Sequence, residues 1–425
     1  MTVIGVDDTD SRTRGMCTTY LATRLAARLG ADGASVRRKL LIRLNPAVEH
    51  KTRGNAALAL HTDADPDRAL SLAAAELDPL AETDDPRTSP GVVVAPGSPD
   101  EVPNAVRSFS RRAVRDILDR ESAVDLADRV GYRHRGWSGG RGQIGALAAV
   151  GAWGANGTWT HERIAYREFD RCGTPREVDE ASVFDAAEAA YPTVWDTVDR
   201  TAGEAVCVPN APGPILYGIR GDDPDAVEAV ADRIRSEPVE RAATFLTNQG
   251  TDAHLRDGTV GDLRDGGAYR VDGTVASDPE TRQGGHVFFA LRDRSDPASR
   301  VDCVAFEPTK RFRDRIRGLR PGDDLTVCGE VSGGTVKLEK FAVRSLRRTE
   351  STTPTCSGCG RTMESAGRDQ GYRCRDCGTT AAERATVTLD RDLEVGWYEV
   401  PPRARRHIAK PLVRGGFDAP AHPER

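Results

Sequence analysis

Two closely spaced cysteine pairs near the carboxyl end constrain the fold of this chain more than any other feature. Both are Cys-x-x-Cys pairs, fourteen residues apart, and they hold four of the nine cysteines. Four thiolates at this spacing can surround one ion tetrahedrally. Chance cysteines, a redox pair and a thiolate-bound iron centre are alternatives, but the spacing favours a closed structural zinc ribbon. The predicted Zn²⁺ ligands are Cys356, Cys359, Cys374 and Cys377.

The length and the apolar pattern limit the class of protein. A chain of 425 residues exceeds what one core supports, so we expect several domains of about 100–200 residues each. No apolar run approaches the roughly 18 residues of a membrane span. The chain turns acidic at Asp7 without the basic start of a secretory signal. Because clustered rather than paired cysteines are typical of a reducing compartment, we expect a cytoplasmic protein with no membrane partner.

Two basic segments interrupt a chain whose net charge is -5. Lys310–Arg348 carries eleven basic residues against five acidic ones, and Arg403–Arg414 carries five against none. Such islands allow an acidic protein to bind a polyanion, and phenylalanines lie among the first group. The candidate RNA-binding residues are Lys310, Arg311, Arg313, Arg315, Arg403, Arg405, Arg406 and Lys410.

The order of predicted elements divides the chain into four parts. Residues 1–200 alternate strands and helices as in an α/β layer, with Pro79–Pro103 predicted to be an irregular connection or surface insertion. Residues 201–264 show strand, strand, helix and strand, a fragment of a ferredoxin-like domain. Residues 265–348 show five short strands with a helix before the fourth, which indicates an OB-fold. Residues 352–425 hold the zinc ribbon and a basic tail.

Three carboxylates follow the first apolar strand, where α/β folds place catalytic groups. Asp7, Asp8 and Asp10 repel one another unless a divalent cation or an arginine neutralises them, and oxygen ligands suit Mg²⁺. The pattern predicts a Mg²⁺–nucleotide site. An acidic loop in which Asp10 or Ser11 caps the next helix is an alternative that the pattern alone leaves open.

Two further loops carry groups suited to phosphate oxygens. One contains Lys51, Arg53, Gly54 and Asn55, which combine two cations with two flexible or amide-bearing residues. The other, Gly139–Gly145, leads into a helix whose amide groups could bind an anion. It lacks the Gly-Lys-Ser/Thr of a Walker A loop, and solvated charge and structural glycine turns are the alternatives. Its candidate phosphate-binding residues are Gly140, Arg141 and Gly142.

The motifs occur in an order that resembles the archaeal tRNA-isoleucine agmatidine synthetases, which modify the wobble cytidine of an anticodon. The resemblance extends over nearly the whole chain. It is carried by Gly5–Ser11 (GVDDTDS), Gly15–Ala22, Arg43–Pro46, Lys51–Asn55, Gly140–Gly151, Pro212–Gly221, Thr251–Leu255, Gly284–Phe289, Ala305–Arg313, the zinc knuckles with Met363–Cys374, and Tyr398–Leu412. The departures, a Pro-rich stretch at Ala95–Asn104 and Gly213, are small.

The resemblance implies an ATP-dependent ligase. In that family, ATP phosphorylates the C2 carbonyl of the wobble cytidine in an isoleucine tRNA with a CAU anticodon. Agmatine then displaces phosphate to give agmatidine, so that the anticodon reads AUA codons. The implied cofactors are ATP, Mg²⁺ and Zn²⁺, and no obligate protein partner is implied.

The resemblance also assigns roles to positions in this chain. It implies a multidomain α+β fold with an α/β kinase-like catalytic domain, a ferredoxin-like domain, an OB-fold β-barrel and a zinc ribbon. Asp7, Asp8 and Asp10 become the catalytic carboxylates, and Thr18 matches a threonine that family members autophosphorylate. The agmatine-binding candidates, in or beside the Pro212–Gly221 motif, are Asn210, Tyr217, Gly218 and Arg220.

Two alternatives to this function stay open at the level of sequence. One is a non-catalytic protein whose OB-fold and zinc ribbon bind single-stranded nucleic acid. Such binding needs cations and aromatic side chains but not three clustered carboxylates, so the acidic loop separates it from an enzyme. The other, narrower alternative is a tRNA-modifying enzyme that uses a different amine.

Overall fold

The structure of this protein is a computed structural model that describes residues 1–49, 51 and 54–425. Within these residues, nine strands of the first 247 positions form one mixed sheet. They are β1 (Thr2–Asp7), β2 (Val36–Arg43), β3 (Ala56–Thr62), β4 (Gly91–Pro96), β5 (Arg133–Gly136), β6 (Thr160–Arg167), β7 (Val194–Trp195), β8 (Ile215–Gly221) and β9 (Val239–Thr247). Their order across the sheet is β5-β4-β1-β3-β2-β9-β6-β8-β7. All neighbours are antiparallel except β2 and β9, which run parallel.

Helices cover both faces of the part of the sheet that contains β1. One core cluster joins Ile4 to two helices on one face, and another joins Val3 to three helices on the opposite face. Successive strand residues point to opposite faces, so the continuous apolar run in β1 is explained by burial on both. The helices on the first face are α1 (Thr18–Ala31) and α2 (Pro66–Leu80), and those on the second are α3 (Asn104–Arg115), α4 (Arg120–Arg129) and α5 (Gln143–Gly151).

The predicted irregular connection at Pro79–Pro103 is wrong at its centre. Gly91–Pro96 is strand β4, which pairs with β1 along its whole length from Thr2↔Pro96 to Asp7↔Gly91. The apolar residues of β4 are buried on both faces. The strand is short and is flanked by Pro, Asp and Ser, so the local sequence indicated a loop. The strand it pairs with, β1, lies far earlier in the chain, at Thr2–Asp7.

A second unit continues the same sheet. It comprises β6, α6 (Glu180–Ala190), β7, β8, α7 (Pro224–Arg233) and β9, in the strand order β9-β6-β8-β7. A core cluster of its own includes Val183, Leu216 and Val227. Residue 200 therefore lies inside this run of elements, between β7 and β8.

A closed five-stranded barrel follows. Its ring is β11 (Ala268–Val275), β13 (Val287–Arg292), β14 (Arg300–Ala305), β16 (Thr335–Ser345) and β15 (Asp324–Ser332), which pairs back to β11. The helix α8 (Phe312–Arg317) lies between β14 and β15 in sequence and contributes Phe312 and Ile316 to the barrel core. Two short strands, β10 (Leu255–Gly258) and β12 (Glu280–Thr281), pair with β11 and β13. The five strands predicted within residues 265–348, and the helix before the fourth, are confirmed.

The remaining strands belong to two parts of the chain, the segment with the cysteine cluster and the tail that follows it. Two small sheets lie in the cysteine segment. One pairs β17 (Thr349–Thr352) with β21 (Ala385–Thr388), and the other contains β18 (Glu364–Ser365), β19 (Tyr372–Arg373) and β20 (Thr380–Ala381). After them the chain returns to the barrel, where β22 (Gly396–Glu399) pairs with β16 and β23 (Ala421–His422) pairs with β22. In the described part of the chain, no helix is both long and apolar enough to cross a membrane.

Candidate functional site

The acidic loop lies where β1 meets the amino end of α5. Asp7 is the last residue of β1, and a β-carbon added to Gly145 in the first turn of α5 would overlap its Oδ2 atom. Asp8 adopts a left-handed backbone with φ 59°. Its Oδ2 atom accepts hydrogen bonds from Arg141 Nη2 at 2.8 Å and from the Ser89 amide at 3.2 Å. The chain thus brings the acidic loop against the glycine-rich loop.

Both carboxylates are costly to ionise in the protein alone. Burial, and then the charge of Asp8, raise the pKa of Asp7 well above its usual value. Burial also raises the pKa of Asp8 to about 6, although Arg141 acts in the opposite direction. Two carboxylates held so close in a partly buried site favour the binding of a cation beside them.

A cavity of about 130 Å³ opens at this loop. The three predicted segments meet there: Asp7, Asp8 and Asp10; Lys51, Gly54 and Asn55; and Arg141 and Gly142 all line it. Gly140 does not line the cavity but forms the turn before α5, with φ 66°. Arg53 lies outside the described residues. Asp116 also lines it, and apolar side chains supply most of the remaining wall, chiefly Leu44, Val48, Ile117, Leu118 and Ile144.

A second cavity of about 190 Å³ lies beside the first, and Asp10 and Gly54 line both. Thr18 lines this second cavity, which is called the Thr18 cavity below. The Thr18 hydroxyl is 3.0 Å from Thr9 Oγ1, which fixes the side chain at the start of α1. The expected catalytic threonine therefore shares a cavity with Asp10, whereas Asp7 and Asp8 line only the adjoining one.

Two of the four agmatine candidates line the Thr18 cavity. Gly218 and Arg220 do so from β8. Tyr217 points to the opposite face, where it is buried and donates a hydrogen bond to the Ala231 carbonyl at 3.2 Å. Asn210 is exposed and lines neither cavity. Tyr217 and Asn210 therefore do not face the site in this conformation.

Sequence reasoning missed several residues of this cavity. Arg43, Glu162, Cys207 and His407 line it from four separate segments of the chain. Arg43 lies within a motif that carried the family resemblance, which was the available signal. Glu162 lies on a strand with mixed polarity, and nothing in the sequence connects it to Arg43.

A third and wider cleft, of about 450 Å³, leads from these cavities to the barrel. Arg43, Lys51 and Gly54 form its inner end, and Lys337 and Arg406 lie on the side of the barrel. Glu330, which pairs with both Lys337 and Arg406, also lines it. Apart from this carboxylate and Glu49, the described residues of the cleft present basic or neutral side chains, as a polyanion requires.

The other basic candidates divide into exposed and committed side chains. Lys310, Arg315 and Arg403 are exposed, although Lys310 pairs with Glu307 and Arg403 pairs with Glu204. Arg313 is mostly buried and contacts the Gly285 carbonyl. Lys410 is partly buried, with its ammonium 4.9 Å from the Phe417 ring centre.

Two candidate arginines hold elements of the fold together. Arg405 is buried between Asp196 and Glu399, with Glu399 Oε1 at 2.7 Å. Arg311 bridges the buried Asp199, at 3.1 Å, to Glu424. The expectation that Arg405 contacts RNA does not agree with this conformation, because its guanidinium has no access to the surface.

The four predicted zinc ligands form the one cluster of potential metal ligands found within the described residues. Their sulfur atoms all lie within 4.8 Å of one another. The Cys356–Cys377 and Cys359–Cys374 sulfur distances are 3.2 and 3.4 Å. The Gly358 amide points at Cys356 Sγ from 3.4 Å, as amides do at zinc knuckles. Four thiols in this arrangement fit a tetrahedral Zn²⁺ and leave no open ligand position.

Three family models match the chain. They are described as the TiaS TCKD domain over residues 3–138, the TiaS FLD domain over residues 140–254, and the TiaS C-terminal zinc ribbon domain over residues 353–393.

Full-length relatives and solved structures agree with these matches. The chain is 60% identical to the isoleucine-tRNA 2-agmatinylcytidine synthetase TiaS of Haloquadratum walsbyi, with all of both chains covered, and 46% identical to that of Methanosarcina mazei, with 97% of each covered. The crystal structure of a complex of TiaS with its isoleucine tRNA and ATP has 40% identity, a TM-score of 0.90, and coverage of 100% of this chain and 99% of its own. A complex of TiaS with the same tRNA, AMPCPP and agmatine has 37% identity, a TM-score of 0.87 and the same coverage. By its full-length similarity to them, the chain belongs to the family of archaeal isoleucine-tRNA 2-agmatinylcytidine synthetases.

Proposed function

We propose that the chain uses ATP to attach agmatine to the wobble cytidine of the isoleucine tRNA, acting as an ATP-dependent ligase. The observation that carries this proposal is the pair of adjoining cavities. One combines three carboxylates with Lys51 and Arg141, and the other holds Thr18, with Asp10 between them. In the full reaction, ATP phosphorylates the C2 carbonyl of the cytidine and agmatine replaces the phosphate, so that the anticodon reads AUA codons.

ATP fits the first cavity best. Leu44, Val48 and Ile144 offer an apolar wall for the base, whereas Lys51 and Arg141 lie where phosphate oxygens would be bound. The backbone around Gly142 adds amide groups at the start of α5. Phosphoryl transfer needs positioning and charge stabilisation rather than covalent help from the protein, and these side chains can supply both.

Asp8 and Asp10 are the proposed Mg²⁺ ligands, with Asp7 beside them. The fit rests on two carboxylates held together at the cavity, whose pKa values are raised by burial and by neighbouring negative charge, because a bound cation would offset both effects. When bound, Mg²⁺ neutralises charge on the phosphates. Arg141 then has a second role, since its bond to Asp8 orients that carboxylate towards the cavity.

The fold supports a proposed division into domains. We assign the kinase-like domain to the helices and strands before β6. The order β9-β6-β8-β7 with helices after β6 and β8 is that of a ferredoxin-like domain, which we place from Thr160 to Thr247, so that it begins before residue 201. The barrel has the strand order and helix position of an OB-fold. The cysteine cluster forms the ribbon, and the tail from Gly396 belongs with the barrel.

The tRNA is proposed to reach the cavities through the wide basic cleft between β2 and the barrel. Arg315 and Arg403 are exposed outside the cleft and could extend the contact to the RNA backbone. A tRNA substrate is consistent with the cytoplasm as the site of action. A purely RNA-binding protein is not favoured, because it would have no use for buried carboxylates facing a cavity.

A substitution in the acidic loop tests the proposal. Asp8→Asn should abolish agmatine-dependent modification of the isoleucine tRNA while tRNA affinity stays within a few-fold, because Asp8 attracts no polyanion. Asp84→Asn is the matched control. Asp84 is an exposed aspartate between α2 and β4, and among the described residues it pairs only with Arg14. Full modification by Asp8→Asn would remove this loop from the chemistry.

A further inference from the structure

Two arginines of the Thr18 cavity are buried without the partners that buried arginines normally have. Arg43 ends β2 and Arg220 lies on β8, and their side chains are 14% and 5% exposed. Both line the same cavity as Thr18 and Asp10. Neither residue has a role in the ATP-binding arrangement described above.

The hydrogen-bonding capacity of the two guanidinium groups is almost unused. Each offers five N–H donors. Arg43 donates from Nη2 to Gln249 Oε1 at 3.5 Å, and its buried Nε atom has no hydrogen-bond partner among the residues that the structure describes. Within residues 1–49, 51 and 54–425, Arg220 makes no hydrogen bond by its side chain. Unmet donors of buried charged groups are costly, so such a pair marks a position for an acceptor that binds there.

The nearby carboxylates do not neutralise the pair closely. Glu162 lies 3.9 Å from both Arg43 and Arg220, outside hydrogen-bonding distance, and its Oε2 atom is occupied by Gln249 Nε2. Asp196 lies 4.0 Å from Arg220 but is bound by Arg405. One shared carboxylate thus serves two guanidinium groups on this side of the cavity, and neither guanidinium is held by a close ion pair.

We propose that Arg43 and Arg220 bind a phosphoryl group in the Thr18 cavity, first while it is attached to the substrate base and then as orthophosphate. Guanidinium groups bind phosphate oxygens by paired hydrogen bonds, and a phosphoryl group is the anion that the neighbouring ATP site supplies. This inference rests on the proposed function. It extends that function by assigning a second phosphate site, distinct from the site for the nucleotide.

The proposed site would stabilise charge where it develops during agmatine transfer. The amine nitrogen forms a bond to C2, and the bond between C2 and the phosphoryl-bearing oxygen breaks. Its electron pair leaves with the phosphate, which takes the proton lost by the amine and departs as hydrogen phosphate. Preorganised donors at a departing oxyanion lower the barrier most when they are shielded from water, as these two are.

The same geometry argues against Arg220 as a ligand of agmatine. Agmatine carries a guanidinium group, and a like charge in a buried cavity opposes its binding. Among the described residues that line the cavity, Glu162 and Asp10 are the two carboxylates that would attract a cation. The competing hypothesis is therefore that Glu162 binds agmatine and that the arginines only offset its charge.

Orthophosphate binding to the full-length, zinc-loaded protein tests the proposal directly. AMPCPP is kept saturating so that the first cavity is occupied, and binding is followed by the ³¹P line width of orthophosphate. We expect binding by the wild type, a loss of at least about ten-fold in Arg43→Gln and Arg220→Gln, and a smaller loss in the Arg→Lys variants. Arg163→Gln is the matched control, because Arg163 lies on β6 beside Glu162 but points to the opposite face.

Single-turnover kinetics with the isoleucine tRNA supply the second measurement. The rate at saturating agmatine should fall about 100-fold in Arg43→Gln and Arg220→Gln, as for the loss of an oxyanion donor, while the KM for agmatine stays within three-fold. The Arg→Lys variants guard against a folding defect.

Three outcomes would overturn the proposal. The first is that the wild type binds no orthophosphate, or that both Arg→Gln variants bind it unchanged. The second is a lower agmatine KM in Arg220→Gln with a higher one in Glu162→Gln, which would favour the cation hypothesis. The third is a loss of tRNA affinity with orthophosphate binding unchanged, which would assign the arginines to the RNA backbone. Absence of any tRNA modification by the wild type would instead refute the proposed function and leave the orthophosphate result to stand alone.

Discussion

The carboxylate of Asp7 lies directly against the backbone of Gly145. A β-carbon at position 145 would be well under 3.0 Å from Asp7 Oδ2, and it would also crowd the Cγ and Cβ atoms of that residue. The acidic loop can therefore approach the start of α5 only because the first turn of the helix has a residue without a side chain at position 145. The position of the carboxylates depends on this contact as much as on the loop itself.

Gly145→Ala should impair catalysis more than it impairs folding. The added methyl group would displace Asp7 by about 1 Å, and misplacement of that size at a reacting centre costs about 100-fold in rate. The turnover number of tRNA modification measures this effect, with thermal unfolding as the check on folding. Gly30→Ala, in a helical glycine with open space around it, is the control and should retain full activity. Equal activity in both variants would contradict the role of the contact.

Arg141→Lys should reduce kcat/KM for ATP by at least about ten-fold, because a lysine cannot reproduce a planar fork of donors. The Arg141 guanidinium contacts both Asp8 Oδ2 and the Arg87 carbonyl. A lysine ammonium at the same position could keep one of these contacts but would release the other. Arg133→Lys, which changes an exposed pair with Asp67, should leave kcat/KM unchanged. An unchanged value in Arg141→Lys would mean that charge alone suffices at this position.

The parts of the fold that sequence could predict are those whose signals are local. The barrel strands alternate in polarity along the chain, and the cysteine pairs and the acidic loop are each contiguous. What sequence missed depends on distant partners. Arg405 and Asp196 are 209 positions apart, so a basic run near Arg405 could not be distinguished from an RNA-binding surface. The cavity wall formed by Arg43, Glu162 and Arg220 likewise exists only after three strands have been placed side by side.

Cys374→Ser should remove Zn²⁺ and severely impair tRNA modification while sparing ATP hydrolysis. Zinc and folding are coupled in so small a unit, whose own cluster contains Cys356, Met363 and Cys374. The ribbon strands pair only with one another among the described residues, so their loss should leave the first sheet intact. Metal content, tRNA modification and RNA-independent ATPase are measured on this variant and on Cys172→Ser. Loss of the ATPase as well would mean that the ribbon supports the catalytic domain.

Arg315→Ala and Arg311→Ala should differ although both lie in one basic segment. Arg315 is exposed, so its loss should lower the log–log salt slope of tRNA binding by about one without changing stability. Arg311→Ala would leave the buried Asp199 without its cation and should destabilise the protein by about 3 kcal/mol. Salt titrations of binding and thermal unfolding of both variants test this separation. A stability loss in Arg315→Ala would show that the segment acts as one structural unit.

His61 should make the stability of the first sheet depend on pH. Burial, and then the charge of Arg38, lower the pKa of His61 to about 4, and neither ring nitrogen has a hydrogen-bond partner among the described residues. The unfolded chain takes up a proton on this side chain near pH 6.5, whereas the folded chain does so only near pH 4. The stability contributed by neutral His61 is therefore present above pH 6.5 and is lost as the pH falls towards 4, by about 1.4 kcal/mol per pH unit.

Urea unfolding followed by tryptophan fluorescence at pH 7 and pH 5 should show this loss in the wild type and a smaller one in His61→Gln. His161→Gln is the control, because the pKa of His161 is lowered in the same direction but that side chain is less buried. Identical pH slopes in the wild type and His61→Gln would mean that His61 is protonated in the folded protein at pH 5.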